Sequence, residues 1–222
     1  RMDIKHVKRF EETRLSRSEQ KKLVRCIKDS GFLAMCTPFD NESIDHILED
    51  QFDLIKVASC SFGDWPLLED ITKSKLPIVA STGGASIETI DDVITFWQNR
   101  NIDFVIQHCV GEYPTPYKNM NLNQIDFLKK RHPEVRFGFS THEDPSDTRL
   151  VQMAIAKGAV SLEKHIGQPT DKWPLNAYSA NLDETANWLD AARMALTACG
   201  GQNARYIPSE NETVSLRSLQ RG

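Results

Sequence analysis

The chain has 222 residues, of which 40% are hydrophobic and 26% are charged, a balance typical of one soluble globular domain. Its net charge of −4 predicts no general attraction to nucleic acid or to an anionic membrane, so an anionic substrate would need a local cluster of donors. No apolar run approaches the roughly 20 residues of a membrane-spanning helix, and no signal-peptide pattern opens the chain. We therefore expect a cytoplasmic protein with neither a nucleic acid nor a membrane as its partner.

Five cysteines are scattered along the chain, mostly in apolar runs: Cys26, Cys36, Cys60, Cys109 and Cys199. Their odd number and irregular spacing favour reduced core thiols of a cytoplasmic protein over disulfides or a zinc site.

Short apolar runs alternate with helical patterns along the chain. Six runs are almost continuously apolar, as parallel strands covered by helices are: Phe32–Phe39, Leu54–Cys60, Pro77–Thr82, Phe104–Val110, Arg136–His142 and Val160–Ile166. Seven segments show helical spacing: Gln20–Asp29, Ser43–Gln51, Pro66–Lys73, Ile87–Arg100, Leu122–Arg131, Asp147–Lys157 and Asp183–Ala198. Ser16 and Glu19 form a capping-box signature before the first helix, and Gly31 ends it.

This alternation predicts an α/β fold with a parallel sheet and right-handed crossovers. Two architectures fit six strand–helix units: an open doubly wound sheet, and a TIM-type barrel with six of its eight units present. No glycine-rich GxGxxG turn supports a dinucleotide site. The pattern alone leaves both architectures open.

Polar side chains follow or end every predicted strand, which is where the active sites of both architectures gather. They are Thr37, Lys56, Ser59, Ser81, Thr82, His108, Tyr113, Ser140, His142, Glu163, Lys164 and His165. A buried polar group without a partner is costly, so packing alone does not account for this distribution. We expect a functional site at this edge of the sheet.

His142 and His165 end two consecutive strands. Adjacent parallel strands lie about 5 Å apart, so both side chains can reach one metal ion. The pattern fits equally a general acid–base pair or a hydrogen-bonded core pair.

Lys56 lies in an apolar run, and with Ser59, Ser81 and Ser140 it can form an anion pocket. The alternative is a buried lysine paired with a carboxylate and serines bonded to the backbone. We favour the pocket, because a charged residue in such a run usually serves a site.

Seven short segments carry a resemblance: Cys36–Asp40, Ile55–Ser59, Ala80–Gly83, His108–Cys109, Glu112–Pro116, Gly138–His142 and Glu163–His165. In order and spacing they resemble the N-acetylneuraminate (sialic acid) synthase family, most of all the members labelled spore coat polysaccharide biosynthesis synthases. The resemblance covers about residues 15–200.

The resemblance implies a (β/α)₈ barrel that is often followed by a small antifreeze-like domain. It implies a transferase that condenses phosphoenolpyruvate with an N-acetylated hexose such as N-acetylmannosamine, giving a nonulosonic acid and phosphate. The reaction would require Mn²⁺ or another divalent ion such as Mg²⁺ or Co²⁺, and we expect a homodimer.

The resemblance also implies roles for single residues. It makes His142 and His165 the metal ligands and places Tyr113 beside the sugar. The phosphoenolpyruvate contacts would be Thr37, Lys56, Ser59, Ser81 and Ser140.

This sequence departs from the family pattern at three places. Ser61 stands where an acidic residue is usual, Gly111 stands where asparagine is common, and Gly167–Pro174 replaces an acidic, glycine-rich segment. These departures affect the expected identity of the sugar substrate more than the expected binding of phosphoenolpyruvate.

Both ends of the chain look cut, since residues 1–14 are charged without a clear partner element and residues 203–222 are polar and unpatterned. We interpret residues 1–202 as a partial barrel and residues 203–222 as a linker towards an absent antifreeze-like domain. The first two family strands, which bring a catalytic glutamate and a second phosphate-binding lysine, have no counterpart, so no catalytic residue is assigned and the fragment is expected to be inactive alone.

Two other functions stay open. One is a sugar aldolase that uses Lys56 to form a Schiff base. The other is a non-catalytic barrel fragment that retains ligand or metal affinity.

Overall fold

A computed structural model of the chain describes residues 5–201 and 204–220. The strands of this part are β1 Met35–Cys36, β2 Leu54–Val57, β3 Ile78–Ser81, β4 Phe104–Cys109, β5 Arg136–Thr141 and β6 Leu162–Lys164. Its helices are α1 Lys5–Glu12, α2 Arg17–Asp29, α3 Glu42–Glu49, α4 Trp65–Lys73, α5 Ile87–Gln98, α6 Asn123–Arg131, α7 Arg149–Ala156, α8 Leu182–Cys199 and α9 Glu210–Leu219. None of these helices is both long enough and apolar enough to cross a membrane.

The six strands form one parallel sheet in the order β1-β2-β3-β4-β5-β6. Each new strand is added on the same side, so the sheet curls in one direction into part of a TIM-type barrel. A doubly wound sheet would reverse its strand order at a switch point. The partial barrel is therefore confirmed, and the open sheet is excluded.

Side chains on the strands alternate between two environments. On β2, Ile55 and Val57 are buried in a core shared with α4 and α5, while Lys56 between them lines a cavity on the opposite face. β2 thus anchors Lys56 by packing its two apolar neighbours.

Gly138 allows β5 and β6 to approach closely. A Cβ atom at this position would collide with the backbone of Ser161, which precedes β6. The close approach brings the ends of β5 and β6, and with them His142 and His165, side by side.

The helix predictions are confirmed to within a few residues at each end. Ser16 and Glu19 form the predicted capping box of α2, and Gly31 follows with a φ of +83°. The strands are shorter than predicted, most of all β1, which spans two residues of the expected Phe32–Phe39 and pairs, within the described residues, with β2.

Two segments to which no helix or strand was assigned contain helices. α1 lies within residues 1–14, of which residues 1–4 are outside the described part. α9 lies within the expected linker, and its cap was readable in the sequence, since Ser209 accepts from the amide of Glu212. None of its described residues is buried, so α9 packs against no core.

The cysteines are free, as predicted, but most of them are not in the core. Cys109 is buried and Cys36 is half-buried, whereas Cys26, Cys60 and Cys199 are exposed. The core prediction was wrong because these residues lie beyond the ends of the paired strands or on the outer faces of helices, where water reaches them.

Candidate functional site

A cavity of about 340 Å³ opens at the carboxyl ends of the strands. It is lined by all the residues to which the resemblance gives a role: Thr37, Lys56, Ser59, Ser81, Tyr113, Ser140, His142 and His165. Phe39, Ala58, Cys60, Cys109 and Glu163 complete the lining. The structure thus brings the predicted residues together, while their roles stay predictions. A larger hollow of about 430 Å³ lies between α3 and α4, away from the strand ends.

Lys56 is 6% exposed, and its ammonium group lies among three oxygen atoms. It donates to Ser81 Oγ at 2.6 Å and to the Val57 carbonyl at 3.1 Å, and it lies 3.5 Å from Glu163 Oε2. Burial lowers the pKa of Lys56, and the Glu163 carboxylate opposes this shift. The lysine is therefore both paired with a carboxylate and available to the cavity.

Glu163 and Gln107 hold the polar groups of the cavity in place. Glu163 was predicted at the strand ends without an individual role, and Gln107 was not predicted. Ser140 Oγ donates to Glu163 Oε1 at 3.0 Å. Gln107, which is 1% exposed, accepts from Ser81 Oγ at 3.3 Å and donates to Ser161 Oγ at 2.9 Å. Gln107 could have been predicted from the sequence, because it is a polar amide within the apolar run of β4.

Ser59 joins the loops that follow β2 and β3. Its Oγ accepts from the backbone amide of Gly83 at 3.0 Å. A Cβ at Gly83 would lie 2.8 Å from that oxygen, so this close approach requires glycine. The Ser59 hydroxyl also forms a hydrogen bond with the thiol of Cys109, and both residues line the cavity.

The imidazole rings of His142 and His165 lie side by side, with centroids 5.1 Å apart. His142 Nδ1 donates to the Val110 carbonyl at 3.0 Å, which leaves Nε2 as the unprotonated nitrogen of the neutral ring. The loop that carries Tyr113 is tied to the same strand end, because the Thr115 amide donates to the His142 carbonyl at 2.9 Å.

Burial lowers the pKa of His142 to about 4, against the opposing effect of its bond to Val110. His165 is more exposed, and loss of part of its water lowers its pKa in the same direction. Both rings are neutral at pH 7, the form in which imidazole binds a metal ion.

Tyr178, which sequence reasoning missed, completes a cluster of four rings. Its ring stands nearly perpendicular to both imidazoles, 5.8 Å from His142 and 5.1 Å from His165 between centroids. It also lies 5.3 Å from the ring of Tyr113, which is 4.1 Å from His142. Tyr178 follows no strand, so the rule that site residues follow strands did not reach it.

Three polar residues at strand ends lie outside the cavity. Thr82 donates to the Gln107 carbonyl, and buried His108 bonds through Nε2 to the Met120 carbonyl at 2.8 Å. Lys164 points to the other face of the sheet and pairs with Glu143. These residues support the fold.

The histidine pair fits a divalent ion, although the described residues contain no group of three or more His, Cys, Asp or Glu side chains placed to hold a metal ion. The fit rests on two neutral, adjacent imidazoles, one of which has its tautomer fixed by Val110. The protein would then supply two ligands and leave open positions for water or substrate oxygen, as catalytic sites do.

The fold and the cavity define the class of the protein: a partial TIM-type barrel with a lysine–serine cluster and a histidine pair at its carboxyl edge. The model of the NeuB family matches residues 2–204. The chain belongs to the NeuB family, and the resemblance found in the sequence is confirmed.

Two solved structures show how similar the relatives are. A Chromobacterium violaceum protein assigned the name spore coat polysaccharide biosynthesis protein E has a TM-score of 0.93 and 50% identity, over 100% of this chain and 66% of that one. The N-acetylneuraminic acid synthetase of Leptospira borgpetersenii serovar Hardjo-bovis, solved in complex with citrate, has a TM-score of 0.86 and 25% identity, over 97% of this chain and 75% of that one.

Several sequence relatives are named as synthases. The human N-acetylneuraminate-9-phosphate synthase is 28% identical over 198 residues, which cover 88% of this chain and 54% of the human protein. The chain thus spans a little over half of the length of this relative. The boundary after residue 202 and the domain expected beyond it stay predictions.

Proposed function

We propose that the cavity is the substrate site of a synthase that condenses phosphoenolpyruvate with an N-acetylated hexose such as N-acetylmannosamine. The observation that carries the proposal is the placement of Lys56 and three serines beside two neutral imidazoles in one cavity. Lys56 and the serines suit phosphoenolpyruvate, which is a trianion, and the imidazole pair suits the sugar aldehyde. The cytoplasmic location and the homodimer stay predictions.

The polar part of the cavity suits phosphoenolpyruvate. Lys56 supplies a buried positive charge, and the hydroxyls of Ser59, just after β2, and of Ser140, on β5, line the same cavity. Because little water remains around Lys56, its charge acts over a lower effective dielectric than at the surface. These groups orient the substrate and offset the loss of its water.

The histidine part of the cavity suits the sugar aldehyde. His142 and His165 would hold Mn²⁺, or Mg²⁺ or Co²⁺, which polarises an aldehyde oxygen as a Lewis acid. The contact between His142 and Val110 keeps the ligating nitrogen directed away from the backbone. Tyr113 limits the water around the imidazoles.

The reaction balances as follows. The methylene carbon of phosphoenolpyruvate forms a bond to the aldehyde carbon of the open-chain sugar, and the aldehyde oxygen becomes a hydroxyl group. Water adds to the carbon that carries the phosphate ester, phosphate leaves, and a 2-keto acid results. The chain's residues bring the two carbons together and exclude bulk water.

The depressed pKa of Lys56 favours one other function, a Schiff-base aldolase, because a neutral amine is the nucleophile in that chemistry. Borohydride reduction in the presence of pyruvate separates the two functions. A covalent adduct on Lys56 supports the aldolase, and an unmodified Lys56 supports the synthase.

The synthase is tested by incubating the protein with phosphoenolpyruvate, N-acetylmannosamine and Mn²⁺, and by measuring released phosphate together with the new acid by mass spectrometry. The matched controls are His142→Ala, which removes a cavity imidazole, and His46→Ala, which removes one from α3. Calorimetric titration with phosphoenolpyruvate accompanies the assay. A protein that binds no phosphoenolpyruvate contradicts the proposal.

A further inference from the structure

The two cavity histidines lie just beyond the last residue pair that joins β5 to β6. That pair is Thr141 with Lys164, and His142 and His165 each follow it by one residue. Beyond it, the carbonyl of His142 accepts a hydrogen bond from the loop after β4, and the carbonyl of His165 accepts one from the loop after β6. The ladder between β5 and β6 therefore ends before the histidines and does not fix the separation of their rings.

An ion pair joins the two strand ends on the face of the sheet opposite the cavity. Glu143 follows His142, Lys164 precedes His165, and Lys164 Nζ donates to Glu143 Oε1 at 2.8 Å. Both side chains of the pair are almost completely buried. Moving either strand end away from the other would leave a buried charge unpaired, which is costly. The pair therefore links the chain neighbours of the two histidines where the ladder no longer does.

Stability alone does not account for an ion pair at this place. Well-packed apolar side chains of similar size often stabilise a protein as well as a buried ion pair does, or better. Glu143 Oε2 and Thr141 Oγ1, which belong to residues two positions apart on the same face, have no hydrogen-bond partner in the part of the chain that the structure describes. Such unpartnered atoms add to the cost of polar groups behind the sheet. What apolar packing would lack is a directional contact between the two strand ends.

We propose that Glu143 is a positioning residue that, through Lys164, sets the separation of His142 and His165 and thereby the affinity of this pair for a divalent ion. The inference rests on the proposed function for the metal ion and adds the residues that shape its site. Glu143 and Lys164 are not among the residues that line the cavity, so they act through the histidines. Two ligands on separate strand ends bind one ion only when both nitrogens reach it, and a displacement of about 0.5 Å is enough to weaken such a site.

Two variants separate positioning from stability. Glu143→Gln keeps an oxygen that accepts from Lys164 but removes the counter-charge, so the link remains while stability falls. Glu143→Leu/Lys164→Met removes both charges and fills the space with apolar groups, so stability is largely kept while the link is lost. The melting temperature and the Mn²⁺ affinity should therefore rank these two variants in opposite orders.

Mn²⁺ affinity is measured by titration calorimetry without substrates, at a temperature at which circular dichroism shows each protein to be folded. Glu143→Leu/Lys164→Met is expected to bind Mn²⁺ at least tenfold more weakly than the unsubstituted protein, and Glu143→Gln less than threefold more weakly. Removal of groups that orient metal ligands typically lowers metal affinity by about 10- to 100-fold.

Two controls accompany the measurement. Phosphoenolpyruvate affinity, measured without Mn²⁺, should stay unchanged in the Glu143 and Lys164 variants, because neither residue lines the cavity. Asp126→Leu/Lys157→Met removes a 2.6 Å ion pair between α6 and the end of α7, and this variant should bind Mn²⁺ as the unsubstituted protein does.

Unchanged Mn²⁺ affinity in Glu143→Leu/Lys164→Met, or Mn²⁺ affinities that follow the melting temperatures, would overturn the inference. Absence of Mn²⁺ binding by the unsubstituted protein would overturn it as well. If Glu143→Gln does not fold, the Mn²⁺ affinity of the double variant still decides. Failure of the unsubstituted protein to bind phosphoenolpyruvate would contradict the proposed synthase, and it is measured separately from Mn²⁺ binding.

Discussion

Lys164 Nζ lies 2.8 Å from Glu143 Oε1, and both side chains are almost completely buried, with exposed fractions of 3% and 1%. Each of the two residues is the chain neighbour of a cavity histidine, so the ion pair joins the ends of β5 and β6 behind His142 and His165. The second carboxylate oxygen, Glu143 Oε2, has no hydrogen-bond partner among the described residues. Burial raises the pKa of Glu143, and Lys164 opposes the shift.

Glu143→Gln should destabilise the protein by about 3–5 kcal/mol, because it leaves the buried Lys164 ammonium without a counter-charge. The free energy of unfolding, measured in urea, tests this. The double variant Glu143→Gln/Lys164→Met should lose less than the sum of the single variants, since it removes both charges. Lys73→Met, which breaks an exposed pair with Asp70, is the control and should change stability little. Additive losses would show that the two groups do not interact.

His142→Ala and His165→Ala should each abolish the binding of Mn²⁺ detectable by calorimetry, because one imidazole with water cannot replace two adjacent ones. Circular dichroism should show an intact fold, since both rings line the cavity and neither packs in the helix–sheet core. Mn²⁺ affinity that is unchanged in both variants would refute the predicted metal site.

Lys56→Met keeps the side-chain stem and removes the charge, and should weaken phosphoenolpyruvate binding at least tenfold. The expectation follows from the value of a hydrogen bond to a charged group, about 1.5–3 kcal/mol. Titration calorimetry measures it, with Lys28→Met, which alters a half-buried pair with Asp53 outside the cavity, as the control. If Lys56→Met binds phosphoenolpyruvate as tightly as the unsubstituted protein, the role of Lys56 is structural, through its contacts with Ser81, Val57 and Glu163.

Asp91 should make the stability of the protein fall as the pH is lowered into the acid range. Hydrogen bonds from Arg131, with a further one from His132, lower the pKa of Asp91 to about 2, below the ordinary value of about 3.9. Its stabilising effect is therefore fully present above about pH 4 and is lost as the pH falls through 2. Asp91→Asn should lower the urea midpoint at pH 7 and have progressively less effect at pH 3.5 and pH 2.5. An equal effect at every pH would contradict this assignment.

The 222-residue chain, made alone, should self-associate. β1 pairs with β2 and with no other strand of the described part, and Phe32 and Leu33 before it are each 70% exposed. Phe32→Lys and Leu33→Lys should reduce the scattering mass, whereas Lys22→Glu on α2 should not. A monodisperse, fully active monomer would show that the six strands suffice.

The sequence predicted the fold well where local rules govern it. Local rules predicted the capping box of Ser16, the end of α2 at Gly31 and the alternation of apolar runs with helical patterns. Each of these features depends on residues a few positions apart, so a single sequence is enough to predict it. The polar residues at strand ends were predictable for a related reason, since parallel strands bring their carboxyl ends to one edge whatever the loops do. Residue-by-residue roles came from the family resemblance and stay predictions.

Three features were decided by the tertiary structure alone. The ion pair of Glu143 with Lys164, the contact of Gln107 with Ser161, and the position of Tyr178 against both imidazoles join residues from different strands and loops. Strand register selects which side chains meet, and a loop's path selects which of its residues returns to the site. Neither is encoded in local periodicity, because both follow from the packing of the whole sheet and its loops.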